Sequence, residues 1–66
     1  MKIQIVGGGG REHAIAWALS RYGHTLIFTD PNPAFEGLGT ILQGSYLDIA
    51  LLEKPNLVVK IGRAHV

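Results

Sequence analysis

The sequence predicts an α/β fold, in which a parallel sheet is flanked by helices. Two short runs rich in β-branched and aromatic residues, 2–6 and 24–29, have the composition of buried strands. Between them lie four consecutive glycines and a segment whose apolar residues recur at helical spacing. A strand, a glycine turn, a helix and a second strand within about 30 residues form a βαβ unit with parallel strands.

The composition fits one small domain or part of a larger one. Of the 66 residues, 47% are hydrophobic and 17% are charged, and the formal net charge is +1. The absence of cysteine excludes disulfides and thiolate metal sites, and the scattered charges offer no basic patch for nucleic acid. No apolar run approaches the ~20 residues of a membrane span, and the glycines interrupt any signal-peptide core. We therefore expect a cytoplasmic protein that binds neither nucleic acid nor membrane.

Local signals place the first helix after the glycines. It is predicted to begin near Gly10 or Arg11 and to end before Gly23, which suits the residue that follows a helix. Glu12 in its first turn and Arg21 in its last are both favourable with the helix dipole. Its core-facing stripe is predicted to consist of Ala14, Ile15, Ala18, Leu19 and Tyr22, with Trp17 at the edge of that stripe.

The elements after the second strand are short and are separated by turn-forming residues. Residues 31–39 are predicted to be a loop, because two prolines and two glycines exclude regular structure there, and a third strand is predicted at 41–42. A helix is predicted over 49–54, capped by Asp48 and ended by Pro55. A buried strand is predicted to start at 57–59.

The glycine turn predicts an anion site. Gly8, Gly9 and Gly10 allow a ligand to approach the backbone closely. The first N–H groups of the helix have no partner within the helix and lie at the positive end of its dipole. Phosphate is the usual occupant of such a site.

One interpretation of this turn is a dinucleotide-binding fold, as the N-terminal fragment of an NAD(P)- or FAD-dependent oxidoreductase. Its fingerprint requires Gly-x-Gly-x-x-Gly at the start of a helix and an acidic residue about 20 positions later. Gly7 and Gly9 supply the first two glycines, and Asp30 supplies the acid. The third glycine position holds Glu12, which places a carboxylate where the pyrophosphate is expected. The match is therefore partial, and a Walker loop is excluded because no Gly-Lys-Ser/Thr follows.

A second interpretation rests on the motif Gly9-Gly10-Arg11-Glu12-His13-Ala14, which directly follows an N-terminal strand. This motif, with Trp17 in the helix behind it, closely resembles the start of the phosphoribosylamine–glycine ligase family of the ATP-grasp superfamily. The resemblance weakens beyond Trp17, where residues 31–40 and 56–59 are similar to the family's loop and later strand. The Gly-Pro-Glu that follows that strand in the family is absent here.

The resemblance implies a Rossmann-like (pre-ATP-grasp) parallel sheet and a role in purine biosynthesis. The family joins glycine to 5-phosphoribosylamine with ATP and Mg²⁺, through a glycyl phosphate. Its ATP and metal residues lie in later domains, so this chain alone is expected to hold no cofactor, metal or catalytic residue and to be inactive. The resemblance places here the domain that helps form the phosphoribosylamine side of the cleft. The glycine turn agrees with it, and we expect Gly8, Gly9 and Gly10 to hold the substrate phosphate. Arg11 is then expected to add a charged hydrogen bond to that phosphate, Glu12 to orient the ribose hydroxyls or the amine, and His13 to belong to the same site.

Structural roles remain open for the same residues. Arg11 and Glu12 can be solvated residues of a first helical turn, and His13 can be a packed histidine that fixes the turn. Asp30 and Asn32 follow the second strand, at the edge where open α/β sheets bind ligands. Both are also common turn formers.

The last seven residues depart from the pattern. Residues 61–66 match the translation of a common sequencing adapter. We therefore predict an incomplete N-terminal domain over residues 1–59 and a non-native tail over residues 60–66.

Overall fold

The computed structural model describes residues 1–60. Its elements, in chain order, are β1 (Lys2–Val6), α1 (Gly10–Ser20), β2 (Thr25–Phe28), a 3₁₀ turn (Pro33–Phe35), β3 (Thr40–Ile41), α2 (Tyr46–Glu53) and β4 (Leu57–Lys60). None of the helices in this part of the chain is long and apolar enough to span a bilayer.

The four strands form one parallel sheet in the order β3-β2-β1-β4. The strand β1 lies at its centre, where Ile5 is paired with Phe28 on one side and Val59 on the other. The nearly continuous apolar composition of β1 suits this position, because a central parallel strand is covered on both faces. The predicted α/β class with a parallel sheet is confirmed. All four strands end at the same edge, which is where the glycine turn begins.

The main core lies between the sheet and α1. Its buried residues are Ile3, Ile5, Ala16, Leu26, Phe28 and Phe35. The rings of Phe28 and Phe35 are stacked, with centroids 4.1 Å apart and an angle of 10° between their planes. Phe35 reaches this core from the 3₁₀ turn, so the prediction that residues 31–39 lack a regular element is wrong. Pro33 favours such a turn at its first position, because its φ is preset and no N–H donor is needed there.

The predicted core stripe of α1 is wrong for Ala14, Ala18 and Tyr22 and is confirmed for Leu19. The residue that α1 buries is Ala16, with Leu19 packed against the same cluster. Ala14, Ala18 and Tyr22 are exposed. The helix is apolar on both sides, so helical spacing fits two opposite stripes equally well. The helix ends at Ser20, two residues earlier than the stripe implied, and Gly23 adopts a φ of +77° in the turn that follows.

The opposite face of the sheet is covered by α2. Gln4 is fully buried there, and its Nε2 donates to the carbonyl of Tyr46 at 2.9 Å, at the first residue of α2. Ile49 is the buried residue of this helix. The cap of α2 is Ser45, whose Oγ accepts from the N–H of Leu47, rather than the predicted Asp48. The helix ends at Glu53, and Pro55 lies beyond it as predicted.

The strand β4 is more exposed than predicted. Leu57 and Val58 are 47% and 41% exposed, because β4 is the last strand at one edge of the described sheet. It extends through Lys60, the first residue of the predicted non-native tail. Residues 61–66 of that tail lie outside the described residues, so its non-native origin stays a prediction.

Replacing Ser45 with alanine tests the cap of α2. The Ser45→Ala variant is expected to lower the free energy of unfolding by about 1 kcal/mol, because it removes the side chain that satisfies an otherwise free N–H at the helix start. Urea unfolding followed by circular dichroism measures this loss. Asp48→Ala is the matched control and is expected to cost about 0.5 kcal/mol, since Asp48 lies in the first turn and acts through the dipole. A larger loss for Asp48→Ala would reverse the assignment of the cap.

Candidate functional site

The glycine turn joins β1 to α1 at the carboxyl edge of the sheet. Gly7 turns the chain with a φ of +116°, a conformation open to glycine and costly for other residues. Gly9 is the N-cap of α1 and has no side chain with which to cap it. The first N–H groups of a helix have no acceptor within it, and those of Gly10, Arg11 and Glu12 form no hydrogen bond with any residue between 1 and 60. These three donors remain available to an external acceptor.

Glu12 folds back into the turn. Its Oε1 accepts from the N–H of Gly9 at 3.1 Å. A Cβ atom at Gly7 would lie 2.9 Å from both Cγ and Cδ of Glu12, closer than side-chain carbons approach one another. The carboxylate therefore fills the space that a side chain at Gly7 would need. The sequence reasoning missed this contact, although a glutamate three residues after the cap is the spacing of a capping box.

Asp30 and Asn32 fasten the turn from the end of β2. Oδ2 of Asp30 accepts from the N–H of Gly7 at 2.6 Å, and Nδ2 of Asn32 donates to the carbonyl of Gly8 at 2.7 Å. Oδ1 of Asn32 also accepts from the N–H of Ala34 at 2.9 Å, which caps the 3₁₀ turn. The structure thus brings both predicted edge residues to the glycines. The contacts they make here are those of turn formers, and their contact with a ligand stays a prediction.

The other two predicted site residues differ in their surroundings. The side chain of Arg11 is exposed and makes no ion pair within the described residues. Its guanidinium is free to meet an anion beside the open N–H groups. His13 is half-buried, and its ring centroid lies 6.3 Å from that of Phe35. This position fits the packed-histidine interpretation, in which His13 supports the helix start from the core side.

The arrangement has the chemistry of an anion site. Three unpaired backbone donors, the positive end of α1 and the side chain of Arg11 lie together at the start of one helix. Both nearby carboxylates, those of Asp30 and Glu12, are already bonded to N–H groups of the turn. Within residues 1–60, no three histidine, aspartate or glutamate side chains come together as ligands for a metal ion.

The same contacts disfavour a dinucleotide site. The third glycine of that fingerprint allows close packing of the helix against the strand, and here Glu12 occupies the position and its side chain fills the space beside Gly7. The acid of the fingerprint binds the ribose hydroxyls, whereas Oδ2 of Asp30 accepts from the N–H of Gly7, which leaves Oδ1 alone for such a contact. The residue at the third glycine position and the acid of the fingerprint are thus both bonded to the turn itself.

Comparison with known proteins adds independent information. A family model described as "Phosphoribosylglycinamide synthetase, N domain" matches residues 1–64. A phosphoribosylamine–glycine ligase from Methanoregula boonei is 71% identical over 28 residues, which are 42% of this chain and 7% of the relative. A protein of the same name from Thermotoga maritima is 40% identical over 40 residues, covering 61% of this chain and 10% of the relative.

A third relative is similar over most of the chain. The phosphoribosylamine–glycine ligase of Fusobacterium nucleatum is 36% identical over 67 aligned positions, which cover 89% of this chain and 16% of the relative. The chain therefore spans between 7% and 16% of the length of these relatives. No solved structure gives a significant match.

Proposed function

Because the chain belongs to the family of phosphoribosylglycinamide synthetase N domains, we propose that it supplies the phosphosugar-binding part of an ATP-dependent ligase. The reaction proposed for the whole ligase joins glycine to 5-phosphoribosylamine in purine biosynthesis. The relatives that share this region are named for that ligation. The proposal assigns to this chain the binding of the substrate's 5-phosphate, in a protein that acts in the cytoplasm.

The open start of α1 is the observation that carries the proposal. The N–H groups of Gly10, Arg11 and Glu12 have no partner within residues 1–60, and a phosphate has enough oxygens to accept from all three. Gly8 and Gly9 present no side chain to a ligand that approaches them. Arg11 adds a charged donor, whose hydrogen bonds to a phosphate are about twice as strong as neutral ones.

The neighbouring residues have supporting roles in the proposed site. Glu12 holds the N–H of Gly9, so Gly9 contributes space, and the donors that face the phosphate are those of the following residues. Oε2 of Glu12 makes no hydrogen bond with a described residue, which leaves it for the ribose hydroxyls or the amine. His13, whose ring centroid lies 6.3 Å from that of Phe35, is assigned a supporting role on the core side of the helix start.

The nucleotide and metal chemistry of such a ligase is not assigned to these residues. Mg²⁺ is usually held by carboxylates together with phosphates of the substrate. Both carboxylates beside the glycine turn, those of Glu12 and Asp30, already accept from N–H groups of the turn, and no group of three or more potential metal ligands forms within residues 1–60. The proposal therefore places ATP, Mg²⁺ and glycine on parts of the ligase outside this region.

Titration with ribose 5-phosphate, followed by ¹⁵N NMR, tests the proposed phosphate site. The backbone signals of Gly10, Arg11 and Glu12 are expected to shift and to saturate, and ribose without its phosphate is expected to leave them unmoved. Arg11→Ala is expected to weaken binding at least ~10-fold, because it removes a charged hydrogen bond worth about 1.5–3 kcal/mol. Arg21→Ala removes the same charge from the far end of α1 and is the matched control, with affinity unchanged.

Two results would contradict this proposal. An equal loss of affinity in the Arg11→Ala and Arg21→Ala variants would mean that net charge alone attracts the sugar phosphate. Saturable binding of NADH or FAD at the turn, without binding of ribose 5-phosphate, would favour the dinucleotide interpretation instead. The fluorescence of Trp17, the single tryptophan of the chain, offers a second readout of either ligand.

A further inference from the structure

The first helix carries an apolar surface that nothing in the described chain covers. Ala16 and Leu19 face the core, yet Ala14, Trp17, Ala18 and Tyr22 on the other side of α1 are exposed. Trp17 is 51% exposed and Tyr22 is 78% exposed. A helix that is apolar all round is typically buried on every side within a larger protein. The exposed side of α1 thus has the composition of a surface that packs against another protein segment.

The centre of this surface is an open depression lined by aromatic and cationic side chains. Trp17, Ala18, Arg21 and Tyr22 line an open depression of about 260 Å³. The guanidinium carbon of Arg21 lies 4.9 Å from the centre of the Trp17 ring, in a cation–π contact. Tryptophan, tyrosine and arginine are the residues most enriched where protein interfaces concentrate their binding energy. Ala18 between them leaves the room that a partner side chain would enter.

The charges on this side of α1 indicate the kind of partner. Arg11 and Arg21 are the charged residues exposed along the helix, whereas Glu12 turns its carboxylate into the glycine turn. Arg21 makes no ion pair within residues 1–60. Two copies of this surface would bring cations together without a carboxylate between them, and this disfavours self-association. A partner that brings a carboxylate to Arg21 would satisfy it.

We propose that the surface formed by Trp17, Ala18, Arg21 and Tyr22 is a docking site for an apolar segment bearing a carboxylate, located in the remainder of the ligase polypeptide. This inference rests on the proposed function. The matched region makes up at most 16% of the length of the relatives, so most of their chain is available to supply that segment. Docking buries the tryptophan and tyrosine rings and pairs the guanidinium of Arg21.

The test mixes this chain with the Fusobacterium nucleatum relative from which the matched region has been removed. That relative is suitable because its match covers 89% of the chain and therefore includes α1. The chain is labelled with 5-fluorotryptophan, so a single ¹⁹F signal reports on Trp17 alone. A stable complex and a shifted ¹⁹F signal are expected. Trp17→Ala and Arg21→Glu are each expected to weaken the complex about 30-fold, as residues at an interface centre do.

Lys54→Glu is the matched charge reversal, placed at the end of α2, and it is expected to leave the affinity unchanged. The inference is overturned if a complex forms with an unmoved ¹⁹F signal and equal affinity for all variants. It is also overturned if no complex forms, or if light scattering finds a dimer of this chain that Trp17→Ala dissociates. Binding of ribose 5-phosphate is measured on the same samples, so the proposed function can stand when the docking surface fails.

Discussion

The Phe35→Ala variant is expected to leave much of the chain unfolded at 25 °C. Phe35 is fully buried, its ring stacks on that of Phe28, and the ring centroid of His13 lies 6.3 Å away. Removing a buried phenylalanine ring costs about 3–5 kcal/mol, through lost transfer energy and the cavity that remains. A domain of this size has little stability beyond that amount. Circular dichroism at 222 nm and urea unfolding measure the loss.

The position of Phe35, rather than its aromatic character, is what this variant tests. Tyr22→Ala removes an aromatic ring of similar size from a site that is 78% exposed, and it is expected to change stability by less than about 0.5 kcal/mol. Phe35→Leu keeps most of the buried volume and is expected to recover part of the lost stability. If Phe35→Ala unfolds at the same urea concentration as Tyr22→Ala, the 3₁₀ turn does not hold its ring in the core.

Local sequence signals were sufficient to predict the secondary-structure elements around β1. The run of β-branched residues, the four glycines and the helix after them each indicate one structure, and the three agree with one another. The closeness of Asp30 and Asn32 to the glycines also followed from sequence. The carboxyl ends of neighbouring parallel strands meet at one edge of the sheet, so the residues that follow β1 and β2 must approach each other.

The errors occur where burial is decided by distant parts of the chain. Helical spacing could not identify the buried side of α1, since both of its sides are apolar. Packing against the ring of Phe35 and against the sheet determines which side is buried. Phe35 itself stands among prolines and glycines that predict a loop, and a loop residue becomes part of the core only in three dimensions. The exposure of β4 depends likewise on its place at the edge of the described sheet.

The contacts within the site are beyond sequence reasoning for a similar reason. A glutamate in a first helical turn can point to solvent, to a ligand or back to the cap, and these positions differ only in side-chain rotamer. In this structure Glu12 turns back to Gly9, and the space beside Gly7 accommodates it. The residue types of the site could be predicted from sequence, whereas their hydrogen-bond partners are evident only in the structure.

The Gly7→Ala variant is expected to destabilise the chain by about 2–4 kcal/mol and to weaken ribose 5-phosphate binding at least ~10-fold. An alanine at a φ of +116° is strained by an amount of order 1–3 kcal/mol. Its Cβ would also collide with the side chain of Glu12, which must then release the N–H of Gly9. Losing a capping contact of this kind costs about 0.5–2 kcal/mol more. Urea unfolding and the NMR titration measure the two effects.

Gly10→Ala is the matched control, because it makes the same change within the same run of glycines. Nothing lies within 4 Å of a Cβ at Gly10, and this residue begins α1. Alanine is the better helix former, so Gly10→Ala is expected to leave stability unchanged or to raise it by up to about 1 kcal/mol. A loss of stability in Gly10→Ala similar to that in Gly7→Ala would mean that the turn requires glycine throughout, irrespective of φ and of Glu12.

Combining Gly7→Ala with Glu12→Ala separates the two causes of the loss. The second substitution removes the side chain that Cβ of residue 7 would meet, but it leaves the backbone strain in place. The double variant is therefore expected to lose less stability than the sum of the losses in the two single variants. The difference is expected to exceed ~0.5 kcal/mol, the margin within which the effects of independent sites add. If the losses add instead, the strain of alanine at position 7 lies entirely in its backbone, and the contact with Glu12 contributes nothing to it.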